Sequence, residues 1–90
     1  MMLDDFMHLY DDTVQTNTRF VGFMGETVRF DLVIMRTDRF YGKMVVMDIQ
    51  SSKFAIIGKD DLEEEGYLEF AFGINAESAE ELKFFLEQTF

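Results

Sequence analysis

Residues Thr18–Met35 read TRFVGFMGETVRFDLVIM, two runs that alternate in side-chain polarity on either side of Gly25-Glu26. A period of two marks a half-buried strand, and Gly at the first central position suits a two-residue type II′ turn. Pairing Met24 with Thr27 sets Phe23 opposite Val28, Val21 opposite Phe30 and Arg19 opposite Leu32. On the other face Gly22 meets Arg29 and Phe20 meets Asp31. Nearly all the large apolar groups then share one face. A slip of one residue would mix the faces, so pattern and turn specify the same register.

Met44–Gln50 and Lys53–Ile57 repeat this logic around Ser51-Ser52, a weaker turn because Ser adopts positive φ less readily than Gly or Asn. Pairing Gln50 with Lys53 places Ile49 opposite Phe54 and Met47 opposite Ile56, with Asp48 beside Ala55 and Val46 beside Ile57 behind them. The connection Arg36–Lys43 is short enough to join antiparallel neighbours, which predicts a four-stranded meander. In this alignment Val21, Phe23, Phe30, Val45, Met47 and Phe54 form a common interior.

After Gly58 the period lengthens. Asp60 or Asp61 is expected to cap a first helical turn, with Glu63, Glu64 and Glu65 near its positive end. Gly66 interrupts it. Tyr67–Phe72 reads as one or two helical turns closed by Gly73, and Asn75 as the N-cap of the last helix. There Ala79, Leu82, Phe85 and Leu86 recur at helical spacing, with Glu77, Glu80, Glu81, Lys83 and Glu87 outside. The expected fold is α+β, a ββββ antiparallel meander with one face covered by two C-terminal helices. One domain spans 1–90: an N-terminal segment 1–16, a sheet 18–57 and a helical part 60–90. In the first segment Leu3, Phe6, Met7 and Tyr10 form one docked helical turn, or Met1–Asp5 frays.

Composition excludes several function classes. The chain has 18 acidic against 8 basic side chains, a net charge of −10, and the cations are scattered, so direct nucleic-acid binding or attraction to anionic lipid is not expected. The chain contains no cysteine, which removes thiolate chemistry and favours a reducing, cytoplasmic setting. Met1–His8 has no basic region and no long apolar run, so no secretory leader is expected. No stretch approaches the length of a membrane span.

No reaction is legible. His8 is the single histidine, with only carboxylates near it in sequence. Asp60–Glu65 lacks the alternating oxygen ligands of a calcium loop, and Asp-Asp at a helix start is better explained by capping. Neither a nucleophile elbow around Ser51 or Ser52 nor a phosphate-cradling glycine loop is present. The chain is therefore read as non-enzymatic, without cofactor or metal. Two features remain. The sheet's reverse face mixes Arg29, Asp31 and Asp48 with Phe20, Val33, Met35, Met44, Val46 and Ile57, and contiguous apolar surface of that kind marks an interface. It is covered by the N-terminal segment, a second copy or another protein, and a homodimer is the commonest solution. Arg29, diagonal to Asp31 along its own strand face, is expected to pair with it at the margin. Arg36, Arg39, Phe40 and Tyr41 combine cations and aromatics as partner-binding hot spots do; equally, Phe40 or Tyr41 plugs the edge of the core.

The chain resembles a short, uncharacterised bacterial family, a domain of unknown function found mainly in low-GC Gram-positive bacteria. The resemblance rests on Leu9–Thr13 (LYDDT), Thr18–Phe23 (TRFVGF), Arg29–Leu32 (RFDL), Thr37–Lys43 (TDRFYGK), Asp48–Ser51 (DIQS) and Asp61–Leu68. At Ser52 the family pattern has Gly. The resemblance implies a stand-alone cytosolic protein and supplies no catalytic residue, cofactor or partner. The leading expectation is a protein–protein interaction or regulatory module, dimeric, with an unidentified protein partner. The rivals are an acidic nucleic-acid mimic that occupies a basic partner, and a small-molecule sensor using Tyr10, Tyr41 or Tyr67.

Overall fold

The computed structural model describes residues 7–90. Strands β1 (Asn17–Met24), β2 (Arg29–Arg36), β3 (Lys43–Asp48) and β4 (Lys53–Gly58) form one antiparallel sheet in the order β1-β2-β3-β4. Helices α1 (Lys59–Glu63), α2 (Tyr67–Phe72) and α3 (Ala76–Glu87) follow. The α+β meander is the predicted one. Its helical part is divided where the sequence places the breaks, at Gly66 and Gly73, which adopt left-handed φ values of 81° and 64°.

Both hairpins differ from the expected register by one rung. Met24 pairs with Arg29, Phe23 with Phe30 and Val21 with Leu32, so Gly25–Val28 is a four-residue loop. One backbone bond and one side-chain bond hold this loop. The Gly25 amide donates to the Val28 carbonyl at 2.7 Å, and the Glu26 amide donates to Glu81 Oε1 at 2.8 Å. In the second hairpin Asp48 pairs with Lys53 and Met47 with Phe54, leaving Ile49–Ser52 as the loop. Asp48 organises it by accepting from the Gln50 amide and the Ser51 hydroxyl, each at 3.1 Å. Ser52 takes φ 61°, the left-handed conformation for which Gly is suited.

A shift of one whole rung keeps each hairpin's faces intact. The relation between the hairpins is what changes. The β2–β3 ladder pairs Leu32 with Asp48 and Ile34 with Val46, so Met44, Val46 and Ile57 join Phe30, Leu32 and Ile34 beneath the helices. Val21, Phe23 and Phe30 therefore lie on the helix side, whereas Val45, Met47 and Phe54 lie on the reverse. The expected common interior is overturned. The second hairpin is apolar on both faces, so its alternation could not select the inner one. Asp48, on the inner face at the strand end, is tolerated there because the loop satisfies its carboxylate.

Leu62, Leu68, Phe72, Ala79, Leu82 and Leu86 close the core against the sheet. Neither Asp60 nor Asp61 is the cap of α1. Gly58 occupies that position, and Asp61 reaches back from the first turn to accept its amide at 2.8 Å. Asn75 caps α3 as expected, accepting from the Ser78 amide at 2.8 Å. Residues 7–16 form no helical turn and are exposed. Leu3, Phe6 and Met1–Asp5 lie outside the described residues.

Candidate interaction surfaces

The β2–β3 connection forms a 3₁₀ turn over Asp38–Phe40, capped by the Thr37 hydroxyl, which accepts from the Arg39 amide at 3.2 Å. That turn separates the four singled-out residues. Arg36, Phe40 and Tyr41 line a cleft of about 880 Å³ together with Lys43, Lys59 and Asp61. Arg39 points elsewhere: its Nη1 lies 3.0 Å from Asp12 Oδ2 and its guanidinium 4.7 Å from the Tyr10 ring centroid. The bond to Asp12 holds the Arg39 guanidinium above its ordinary pKa. Arg36 donates to the Thr89 carbonyl and stands 5.9 Å from the Phe90 ring centroid. Phe40 is half-buried and Tyr41 is 96% exposed, so Phe40 is the nearer of the two to a core plug.

Two of the cleft's charges form an ion pair. Lys43 Nζ lies 3.6 Å from Asp61 Oδ2, the same oxygen that caps α1. His8 faces Asp11 at 4.0 Å with both side chains exposed. Among the described residues, no three His, Cys, Asp or Glu side chains converge as metal ligands do, and no helix is long and apolar enough to cross a membrane. Tyr67 is half-buried, and burial, then the charges of Asp61 and Glu64, push its hydroxyl above the ordinary tyrosine pKa.

The reverse sheet face is a broader feature. Its register brings Phe20, Val33 and Met35 beside Val45, Met47, Phe54 and Ile56. Phe20 and Phe54 are 78% and 64% exposed. Among the described residues, no helix packs on this side. Met44, Val46 and Ile57, expected here, are in the core, yet the surface remains apolar because their places are taken by the hairpin's other apolar set. Its charges are compensated: Arg29 Nε lies 3.0 Å from Asp31 Oδ2, the pair expected from the strand spacing, and Lys43 is held by Asp61.

A second apolar area went unread in the sequence. Phe23, Met24, Phe84 and Phe85 line a groove between the first hairpin loop and α3. Its signal was the dipeptide Phe84-Phe85: with Leu82, Phe85 and Leu86 on the buried stripe, Phe84 must point off it. Glu81, expected outside, folds over the Gly25-Glu26 backbone instead.

These features define a small meander domain with helices on one face and an open apolar sheet surface on the other. The family model described as SAV0927-like matches residues 9–88, and the chain belongs to that uncharacterised family. No curated protein matches it.

Proposed function

We propose that this protein works by protein–protein contact, without catalysis, and that its reverse sheet face joins two copies across a two-fold axis. The carrying observation is that face: seven apolar side chains with every charge already paired. Burying an unpaired charge would oppose association, and none is offered. The area is adequate. Four strands of six to eight residues, at ~4.8 Å spacing and ~3.3 Å rise, cover roughly 20 × 25 Å in projection. Two such faces bury about 1,000 Å² before side-chain relief is added, the size at which specific interfaces begin. Self-association there also suits a chain of net charge −10, because the contact lies away from the acidic helices. The absence of cysteine fits a reducing cytoplasmic setting.

Sedimentation equilibrium at micromolar concentration tests this. The wild type is expected to be a dimer, and Phe54→Glu, which introduces a charge on an exposed position of the face, a folded monomer. A wild type that stays monomeric into the hundreds of micromolar, or a Phe54→Glu variant that dimerises as tightly, would overturn it.

A further inference from the structure

The groove beside α3 has a different chemistry from the sheet face. It measures about 700 Å³, and its floor is Phe23, Met24, Phe84 and Phe85. Phe23 stacks on Phe85 at 4.7 Å and on Phe30 at 5.0 Å, so the floor is anchored in the core. Met24 and Phe84 are 71% and 69% exposed. Glu26, Glu80 and Glu81 form the rim, and no lysine or arginine is among the lining residues. One cation stands at the margin, Arg19, with its guanidinium 6.0 Å from the Phe85 ring centroid.

Glu81 adds a local detail. One carboxylate oxygen accepts the Glu26 amide, and the other, Oε2, is buried without a donor among the described residues. A Cβ at position 25 would lie 1.8 Å from that oxygen, so Gly25 is what lets the carboxylate sit there. The groove wall thus holds an acceptor whose hydrogen bond is unmet.

We propose that this groove receives a basic amphipathic helix of a partner protein. Its apolar side chains would sit on the Phe-Met floor, and its lysines or arginines would face Glu26, Glu80 and Glu81. Helix-in-groove recognition needs this pairing of an apolar floor with a complementary rim. Charge selects the occupant. Residues 59–90 carry ten carboxylates against two lysines, so the field at α3 attracts cationic segments and repels acidic ones, including the helical side of a second copy. The groove meets the reverse sheet face at Met24, which shares that face with its cross-strand partner Arg29; its other floor residues Phe23, Phe84 and Phe85 belong to the helix side.

The test is fluorescence anisotropy of a short labelled Leu/Lys peptide with leucines at i, i+3, i+4 and i+7, titrated with the full chain. A peptide of identical composition but scrambled order is the control for net charge. The ordered peptide should bind at least about tenfold more tightly than the scrambled one, and Phe84→Ala should weaken it by about tenfold, as loss of an aromatic anchor does. Phe70→Ala, at an outward position of α2 that is 90% exposed and outside the groove, should leave binding unchanged. Both phenylalanines are exposed, so neither change threatens the fold. Equal binding of the two peptides, no binding of the ordered one, or no loss with Phe84→Ala would overturn the proposal, as would an equal loss with Phe70→Ala.

Discussion

The two sides of the sheet are built from the same strands and end in opposite chemistries. The helix side buries Leu32, Ile34, Met44, Val46 and Ile57 almost completely, and above them residues 59–90 carry ten carboxylates against two lysines. Among the described residues the reverse side has no covering helix, and its strands carry one carboxylate there, Asp31. Acidity is concentrated where the core is already closed. The side that remains open is nearly neutral. A chain whose charge served solubility alone would place carboxylates on both surfaces; here the surface with most to gain by association carries almost no net charge.

Met44 and Met47 break this comparison most directly, being one residue type on one strand with opposite orientations. Met44 is fully buried, and Met44→Ala should cost about 2–5 kcal/mol of unfolding free energy by urea titration. Met47 is half-exposed on the reverse face, and Met47→Ala should cost about 1 kcal/mol or less at low concentration. The second penalty should grow with protein concentration if the face is an interface, and the first should not. Equal penalties would mean that the faces are wrongly assigned.

Ser52 sharpens the comparison at the loop that joins the last two strands. Its φ of 61° costs a non-glycine residue energy that Gly would not incur, partly offset by glycine's greater freedom when unfolded. Ser52→Gly is expected to raise stability by about 0.5–1 kcal/mol in thermal or urea unfolding, and Ser51→Gly, lacking that strain, to give no gain.

These positions also mark how far the sequence could be read. Strand number, order and antiparallel sense followed from period-two runs, and the composition of each hairpin face survived the one-rung error in both turns because parity was preserved. The loops themselves were misread because their length is set by distant or side-chain partners: Glu81 lies 55 positions from the Glu26 amide it binds. The orientation of the second hairpin was illegible for a different reason. Val45, Met47 and Ile56 are as apolar as Met44, Val46 and Ile57, so only the three-dimensional path of Arg36–Lys43 selects which set goes inside. At the candidate surfaces the Arg29–Asp31 pair was readable from spacing. The separation of Arg39 from Arg36, Phe40 and Tyr41 was not, because it depends on a 3₁₀ turn and on Asp12 in the preceding segment.

Asp31 gives the smallest effect and bears on the reverse face alone. The Gln50 side-chain amide, at 2.5 Å, and then the Arg29 guanidinium hold its carboxyl below the ordinary value of 3.8. Ionised Asp31 therefore stabilises the fold at pH values above about 4, and that contribution is lost as pH falls from 3.8 through the lower folded-state pKa. Asp31→Asn removes the titration while keeping the side chain's shape, so wild type and variant should converge in stability on the acid side and separate modestly near neutrality. Urea midpoints measured between pH 2 and 6 would check this. The exposed setting keeps the effect small, and added salt should shrink it further. If the gap between the two proteins were instead constant across that pH range, the carboxylate would be acting through packing and not through its charge.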